Sequence, residues 1–204
     1  MTASVAVLIS GRGSNFLALH EAMERGEVPA KIVLVISNNA DAAGLEKARA
    51  LRLPTLCIPH RLDPSREAHE AKLMRELDSA KVEWICLAGY MRLLGAAFIN
   101  RYPQRILNIH PSLLPAFPGL DAQQQAIDHG VKVSGCTVHL VDEQLDHGPI
   151  VLQRSVGLRS GDNVGSLSSR ILREEHRAYP RALGRLLTEP WKVEGRRIDF
   201  LDET

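Results

Sequence analysis

Apolar and polar positions along the chain fall into two recurring patterns. Short unbroken apolar runs alternate with stretches in which apolar residues return every three or four positions. The first kind suits a strand buried on both faces, and the second an amphipathic helix. Residues 4–10 form such a run, followed by Gly11-Arg12-Gly13-Ser14-Asn15 and then by Phe16, Leu17, Leu19, His20 and Met23 at helical spacing. Residues 31–37 repeat the strand pattern. Asn38-Asn39-Ala40-Asp41 then turns and is suited to cap a helix with Leu45, Ala48 and Leu51 on one side. Residues 54–58 make a third, short strand, and Pro64 stands near the first position of a helix that runs to about Leu77. A fourth strand over 84–88 ends in Gly89-Tyr90-Met91-Arg92-Leu93-Leu94, a short helix covers 96–101, and a fifth strand covers 105–109.

After Pro118 the pattern changes. A short helix over 122–129 precedes an alternating strand over 134–141, a loop rich in carboxylates, and a second strand over 150–158. These two strands are expected to be antiparallel neighbours. A long amphipathic helix over 164–187 turns Ile171, Leu172, Leu183 and Leu187 inward, and 191–200 closes the chain as a hairpin or tail. Five strands alternating with helices imply an open, mostly parallel twisted α/β sheet with helices on both faces, carrying an antiparallel C-terminal addition. The expected organisation is one domain over 1–204, with a seam near Pro118 and Gly119 between a phosphate-binding half (1–118) and a second half (119–204).

Composition narrows the function classes. The 204 residues are 45% hydrophobic and 24% charged with a net charge of +1, ordinary for a globular protein and without the basic footprint of a nucleic-acid binder. Aromatic residues make up 4%, too few for a base-stacking platform. Three cysteines, Cys57, Cys86 and Cys136, form no Cys-x-x-Cys pair and fit reduced thiols in a cytoplasmic protein. The apolar N-terminus lacks a basic region and breaks at Gly11, so it predicts a first strand and no signal peptide. No apolar run approaches the length of a membrane span.

Three stretches carry chemistry. Gly11 to Asn15 lies where a strand ends and a helix begins, the position at which open α/β sheets bind ligands. Glycines let the backbone approach an anion, and the helix N-terminus supplies unsatisfied N–H groups. Phe16 stands where a dinucleotide fingerprint needs its third glycine, and Ser37-Asn38-Asn39 offers no acid after the second strand. A single phosphomonoester therefore fits better than a pyrophosphate, the alternative being a purely structural turn. In Leu107-Asn108-Ile109-His110-Pro111, Asn108 and His110 sit two apart and share one face of a strand. The third stretch, Asp142-Glu143-Gln144-Leu145-Asp146-His147-Gly148-Pro149, could bring a carboxylate to His110 and favour its charged form. Spacing alone leaves Asp142, Glu143 and Asp146 as equal candidates. His139 shares a face with Thr137 and is expected to support the site rather than act in it. His176 is expected to pack or face solvent, as is His147; His20, His60, His69 and His129 show no constellation. No His-x-His or HExxH spacing supports a metal, and Ser112 lacks the context of a nucleophile.

Taken together, Ile9-Ser10-Gly11-Arg12-Gly13-Ser14-Asn15, Leu87-Ala88-Gly89-Tyr90-Met91-Arg92, Leu107 to Pro115 and Val138 to Pro149 resemble the folate-dependent phosphoribosylglycinamide formyltransferases, in order and spacing, as far as about Pro180. The resemblance implies a Rossmann-like formyltransferase fold and transfer of a formyl group from 10-formyltetrahydrofolate, a co-substrate, to the amine of glycinamide ribonucleotide. It implies Asn108, His110 and Asp146 as the catalytic set, and Gly13, Ser14, Asn15 and Glu175 around the ribonucleotide. Arg66, Met91, Arg92, Leu93, Leu94, Asn108 and Asp142 are implied at the folate. It implies a cytoplasmic enzyme of purine biosynthesis without metal, acting on small molecules as a monomer or weak homodimer, with no nucleic acid or membrane partner. The sequence departs from the family at Leu120-Asp121-Ala122-Gln123-Gln124, where a His-x-His stretch is expected, at Ala116, where Lys or Arg is common, and at Tyr90, where Phe is frequent.

The nearest alternative is a formyltetrahydrofolate deformylase, in which water replaces the amine. Those enzymes carry an additional N-terminal domain, and methionyl-tRNA formyltransferases a C-terminal RNA-binding one; neither is expected here. A non-catalytic nucleotide-binding module would explain Gly11 to Asn15 but leave Asn108, His110 and the acidic loop without a purpose.

Overall fold

The computed structural model describes residues 2–201, and the chain divides after Leu107 into two compact units. The division falls inside the fifth strand, ahead of the change of pattern near Pro118.

The first unit contains β1 (Ala3–Ile9), α1 (Ser14–Glu24), β2 (Ala30–Ser37), α2 (Ala43–Ala50), β3 (Thr55–Cys57), a 3-10 turn (His60–Leu62), α3 (Arg66–Ser79), β4 (Trp84–Leu87) and α4 (Ala96–Arg101). Its strands lie in the order β3-β2-β1-β4, with parallel pairing throughout. β1 is flanked on both sides, which is why Val5 to Ile9 form an unbroken apolar run of zero exposure. The chain moves from β1 outward through β2 to β3, then returns to the other side of β1 as β4. The order therefore reverses at β1, and the loops that follow β1 and β4 leave the sheet side by side, with the Ser10 N–H donating to the Gly89 carbonyl at 3.1 Å.

Two helix starts differ from the sequence expectation. Asp41 does not cap α2; its N-cap is Ala42, without a side-chain bond, because the Asn39 side chain accepts the Asp41 N–H at 3.1 Å and closes the turn ahead of the helix. Leu51 falls past the last turn of α2 and is 40% exposed, so it does not belong to the core. At α3, Ser65 is the cap and its hydroxyl accepts the Ala68 N–H at 3.2 Å, which places Pro64 one residue ahead of the cap rather than at the first helical position.

The second unit begins within β5 (Ile106–His110) and continues through α5 (Ala122–Asp128), β6 (Val133–Leu140), β7 (Ile150–Gly157), α6 (Val164–Thr188), β8 (Trp191–Glu194) and β9 (Arg197–Phe200). The strand order is β5-β6-β7-β9-β8, with β6 and β7 antiparallel as expected. The terminal segment is a hairpin whose β9 joins β7 at Ile150 and Arg197. Asn163 and Ser166 form a capping box at the start of α6, which lies against β6 and β7. That helix buries Leu167, Ile171, Ala178, Tyr179, Ala182, Leu183 and Leu186, while Leu172 and Leu187 flank this stripe and are only half-buried. Cys86 and Cys136 are buried and Cys57 partly so, all as free thiols.

One close approach fixes the loop after β1. The Gly44 N–H, at the start of α2, donates to the Gly11 carbonyl at 3.0 Å. A Cβ on Gly44 would lie 2.5 Å from Ile9 Cδ1 and 3.1 Å from the Gly11 oxygen, and one on Gly13 would lie 2.8 Å from Gly44 Cα. Gly13 also adopts φ 70°, a left-handed conformation that favours glycine. Gly44→Ala is expected to cost about 1–3 kcal/mol of stability, read by urea unfolding; an unchanged midpoint would show that the loop can yield.

Candidate active site

In the first unit, Gly11 to Asn15 bridges β1 and α1. Gly13 occupies the N-cap position and offers no side-chain acceptor, so the first amides of an eleven-residue helix have no side-chain cap. Their N–H groups and the positive end of the helix dipole make a place for an anion. Ser14 is half-buried and Asn15 buried. The Lys47 ammonium donates to the Arg12 carbonyl at 2.8 Å and holds the outer side of the loop. The segment after β4 presents Met91 and Leu93, 66% and 59% exposed, on either side of Arg92. Leu94 is half-buried behind them. Arg66 opens α3 with its guanidinium 3.9 Å from Glu70, whose carboxylate accepts the Gly95 N–H at 2.7 Å. Gly13, Ser14, Asn15, Arg66 and Met91 to Leu94 thus all stand at helix starts or strand-end loops of this unit.

The second unit holds a polar cluster in which His110 and His139 are buried and Asn108 is half-buried. Asn108 and His110 are on β5, His139 is on β6, and Asp146 is in the loop between β6 and β7. His110 Nδ1 lies 3.3 Å from Asp146 Oδ2, with both side chains at most 8% exposed. The Gly119 N–H donates to the same carboxylate at 2.8 Å. His110 Nε2 donates to the Phe117 carbonyl at 2.8 Å. Both ring nitrogens therefore face acceptors, which only the doubly protonated imidazole satisfies at once. Asp146 has φ 49°, a left-handed conformation that Asp tolerates better than most residues and that turns its side chain back toward β5. Of the three acids left open by spacing, Asp146 is the one against His110. Asp142 accepts the Gln144 N–H at 3.0 Å and meets His147 Nδ1 at 2.8 Å, so it organises the loop and engages His147.

His139 is tied more closely to the cluster than its sequence position alone indicates. Its Nδ1–H donates to the Leu140 carbonyl at 2.9 Å, leaving Nε2 to accept from the Asn108 amide at 3.1 Å. Burial costs the charged ring its hydration and lowers the His139 pKa, against weaker opposing effects of the Leu140 carbonyl and Asp146. The Asn108 amide is thereby oriented, with a second N–H left to offer. The loop after β5 is pinned by the Thr137 hydroxyl, which donates to the Ser112 carbonyl at 2.7 Å and accepts the Leu114 N–H at 3.0 Å. Gln153 reaches the Leu114 carbonyl at 2.8 Å. Ser112 donates to the Ala116 carbonyl, which is a structural use of its hydroxyl. Glu175 is buried on α6, and His176 beside it is half-buried.

Two histidines without a constellation in the sequence have one in the fold. His60 meets Asn38, and His69 lies between Asp63 and Tyr90. Their partners come from separate elements, so no local spacing announces them. Among the described residues no group of three or more His, Cys, Asp or Glu could hold a metal ion.

Residues 3–183 match the model of the formyl transferase family. The chain belongs to that family. It is 39% identical to the phosphoribosylglycinamide formyltransferase of Escherichia coli, over 95% of this chain and 88% of that protein. The crystal structure of glycinamide ribonucleotide transformylase 1 from Symbiobacterium toebii superposes with a TM-score of 0.96 at 48% identity, covering 98% of this chain and 95% of that one. A trifunctional purine biosynthetic protein of Drosophila pseudoobscura is 50% identical over 89% of this chain, which spans only 14% of that relative's length. A formyltetrahydrofolate deformylase from Pseudomonas syringae shares the fold, with a TM-score of 0.90, at 27% identity, and this chain covers 67% of it. The chain has the mostly parallel α/β sheet with an antiparallel C-terminal part expected of a formyltransferase fold.

Because the folded pKa of His139 lies below its unfolded value, the unfolded chain binds more protons as pH falls through and below about 6.5, and stability drops there. His139→Gln removes that contribution. Denaturant unfolding at about pH 7.5 and about pH 5.5 should show a smaller loss on acidification in the variant than in the parent; equal losses would place the titrating group elsewhere.

Proposed function

We propose that this chain transfers the formyl group of 10-formyltetrahydrofolate to the amine of glycinamide ribonucleotide, yielding N-formylglycinamide ribonucleotide and tetrahydrofolate. The observation that carries this reading is the set of Asn108, His110 and Asp146, in which a carboxylate stands 3.3 Å from a buried imidazole whose half-buried strand neighbour is an amide donor. The reaction needs those groups. The amine nitrogen attacks the formyl carbon, the carbonyl oxygen takes negative charge, and the bond from that carbon to the folate N10 then breaks. The attacking amine must lose a proton and N10 must gain one.

Asn108 offers its remaining amide N–H to the oxyanion, and protonated His110 offers a charged donor. Asp146 fixes the imidazole through Nδ1, so the proton that His110 gives as general acid is the one on Nε2. That proton is held by the Phe117 carbonyl at 2.8 Å, and delivering it requires exchanging this carbonyl for N10. The loop Gly13, Ser14 and Asn15 takes the ribonucleotide phosphate, and Glu175 a polar group of the same substrate. Met91 to Leu94 line the folate with Asp142, and the Arg66 guanidinium pairs a carboxylate of the folate tail. The enzyme works on small molecules in the cytoplasm, as a monomer or weak homodimer, and needs no metal.

Purified protein mixed with both substrates should release tetrahydrofolate only when the ribonucleotide is present. Formate release without the amine would favour a deformylase, and absence of any turnover would overturn the catalytic assignment. Asn108→Ala should lower turnover by about 100- to 1,000-fold. Asp146→Asn should also cut turnover strongly while ribonucleotide affinity stays near that of the parent; equal loss of both would make Asp146 structural. Ser14→Ala should weaken the ribonucleotide more than the folate, as titration calorimetry with each ligand would show.

A further inference from the structure

The proposed mechanism leaves unused a chain of buried polar side chains behind the segment that follows β4. The Ser10 hydroxyl accepts the Met91 N–H at 2.8 Å and donates to Asn38 Oδ1 at 2.6 Å. His60 Nδ1 lies 3.2 Å from the Asn38 side-chain amide and 3.3 Å from the Asn38 carbonyl. From the other side, the Tyr90 hydroxyl lies 3.1 Å from His69 Nε2, and His69 Nδ1 lies 2.9 Å from Asp63 Oδ2. Lys72 closes on the second oxygen of that carboxylate. The Asp63 and His69 side chains are 1% and 2% exposed, and Tyr90 is 8% exposed. The rings of His60 and His69 meet edge to face at 6.3 Å.

At Asp63 the direction of the bonds follows from charge. Lys72 and His69 hold the Asp63 carboxyl below its usual range, so it only accepts and His69 Nδ1 carries a hydrogen. Burial pushes the Tyr90 phenol far above its usual range, so the hydroxyl keeps its proton beside Nε2. Every member therefore has a hydrogen-bond partner. Burying such a chain loses hydration that an apolar pair would not lose, so its gain lies in fixing one geometry. What it fixes is the backbone of Tyr90 and Met91, next to the exposed Met91 and Leu93 and the half-buried Arg92.

We propose that Tyr90 and Ser10 are positioning residues for the one-carbon donor. The chain Asp63–His69–Tyr90 and the chain Asn38–Ser10–Met91 clamp the segment after β4 at adjacent residues, so that it presents one fixed edge to the flat ring system of 10-formyltetrahydrofolate. This rests on the proposed function, in which that segment receives the folate.

The test compares Tyr90→Phe, which removes only the hydroxyl, with Ser10→Ala and Ser10→Thr. Loss of one such hydrogen bond should raise KM for 10-formyltetrahydrofolate by about three- to ten-fold in Tyr90→Phe and Ser10→Ala, leaving kcat and the ribonucleotide KM within about two-fold. Ser10→Thr, which keeps the hydroxyl, should stay near the parent. Both KM values moving together, or neither moving, would overturn the proposal and leave the chain a role in folding alone. A second readout does not depend on turnover: amide hydrogen exchange at Met91 should quicken by about three- to ten-fold in Tyr90→Phe and Ser10→Ala. If the parent protein turns over neither substrate, the functional reading falls while this exchange still decides the clamp, and unchanged exchange overturns it.

Discussion

Asp146 holds a carboxylate at 8% exposure in a left-handed backbone conformation, a combination that loses hydration and stores strain. Such a placement persists only where the surroundings repay it. Here the repayment is the Gly119 N–H and the His110 ring at 3.3 Å. The carboxylate thereby couples three stretches that are distant in the chain: the end of β5, the loop after it and the loop between β6 and β7. Removing its charge would leave the Gly119 amide and the imidazole facing a poorer acceptor. The loop from Pro111 to Phe117 adds a second constraint, since Thr137 and Gln153 hold it against β6 and β7 through their side chains. The Phe117 carbonyl reaches His110 because this loop is held.

The first unit places its loops by a different means. No buried charge is needed at Gly11 to Asn15; backbone packs on backbone, with Gly44 and Gly13 giving the space. Reversal of strand order at β1 puts the loops after β1 and β4 together, and Ser10 then ties them through both its backbone N–H and its hydroxyl. A glycine loop with Ser14 and Asn15 at a helix start suits a single phosphate, as Phe16 fills the position where a third glycine would let a longer pyrophosphate approach.

Much of this was legible in the residue pattern. Among the described residues, β1 to β7 and the six α-helices lie where the apolar runs and helical spacings put them, because strand burial and the stripe of an amphipathic helix are written locally, while 191–200, expected as a hairpin or a tail, forms the hairpin. Helix ends were less so. Whether Asp41 caps α2 depends on where the Asn39 side chain turns, and whether Leu51 packs depends on a helix length that one residue decides. The choice among Asp142, Glu143 and Asp146 needed the course of a loop, and the left-handed turn at Asp146 has no signature in a sequence without glycine at that position. His69 and Tyr90 are 21 residues apart and meet only because α3 and the loop after β4 converge.

The orientation of Asn108 shows how burial and one hydrogen bond can set the geometry of a neighbouring side chain. An amide has a donor end and an acceptor end, and a strand position does not choose between them. His139 chooses, since its Nδ1–H is committed to the Leu140 carbonyl and its buried ring resists a second proton. Nε2 is then an acceptor, and Asn108 must turn its NH2 group toward it. A protonated His139 would set donor against donor and favour the flipped amide, with its oxygen toward the ring. Desolvation of one histidine on β6 therefore fixes which end of the neighbouring asparagine amide turns toward it.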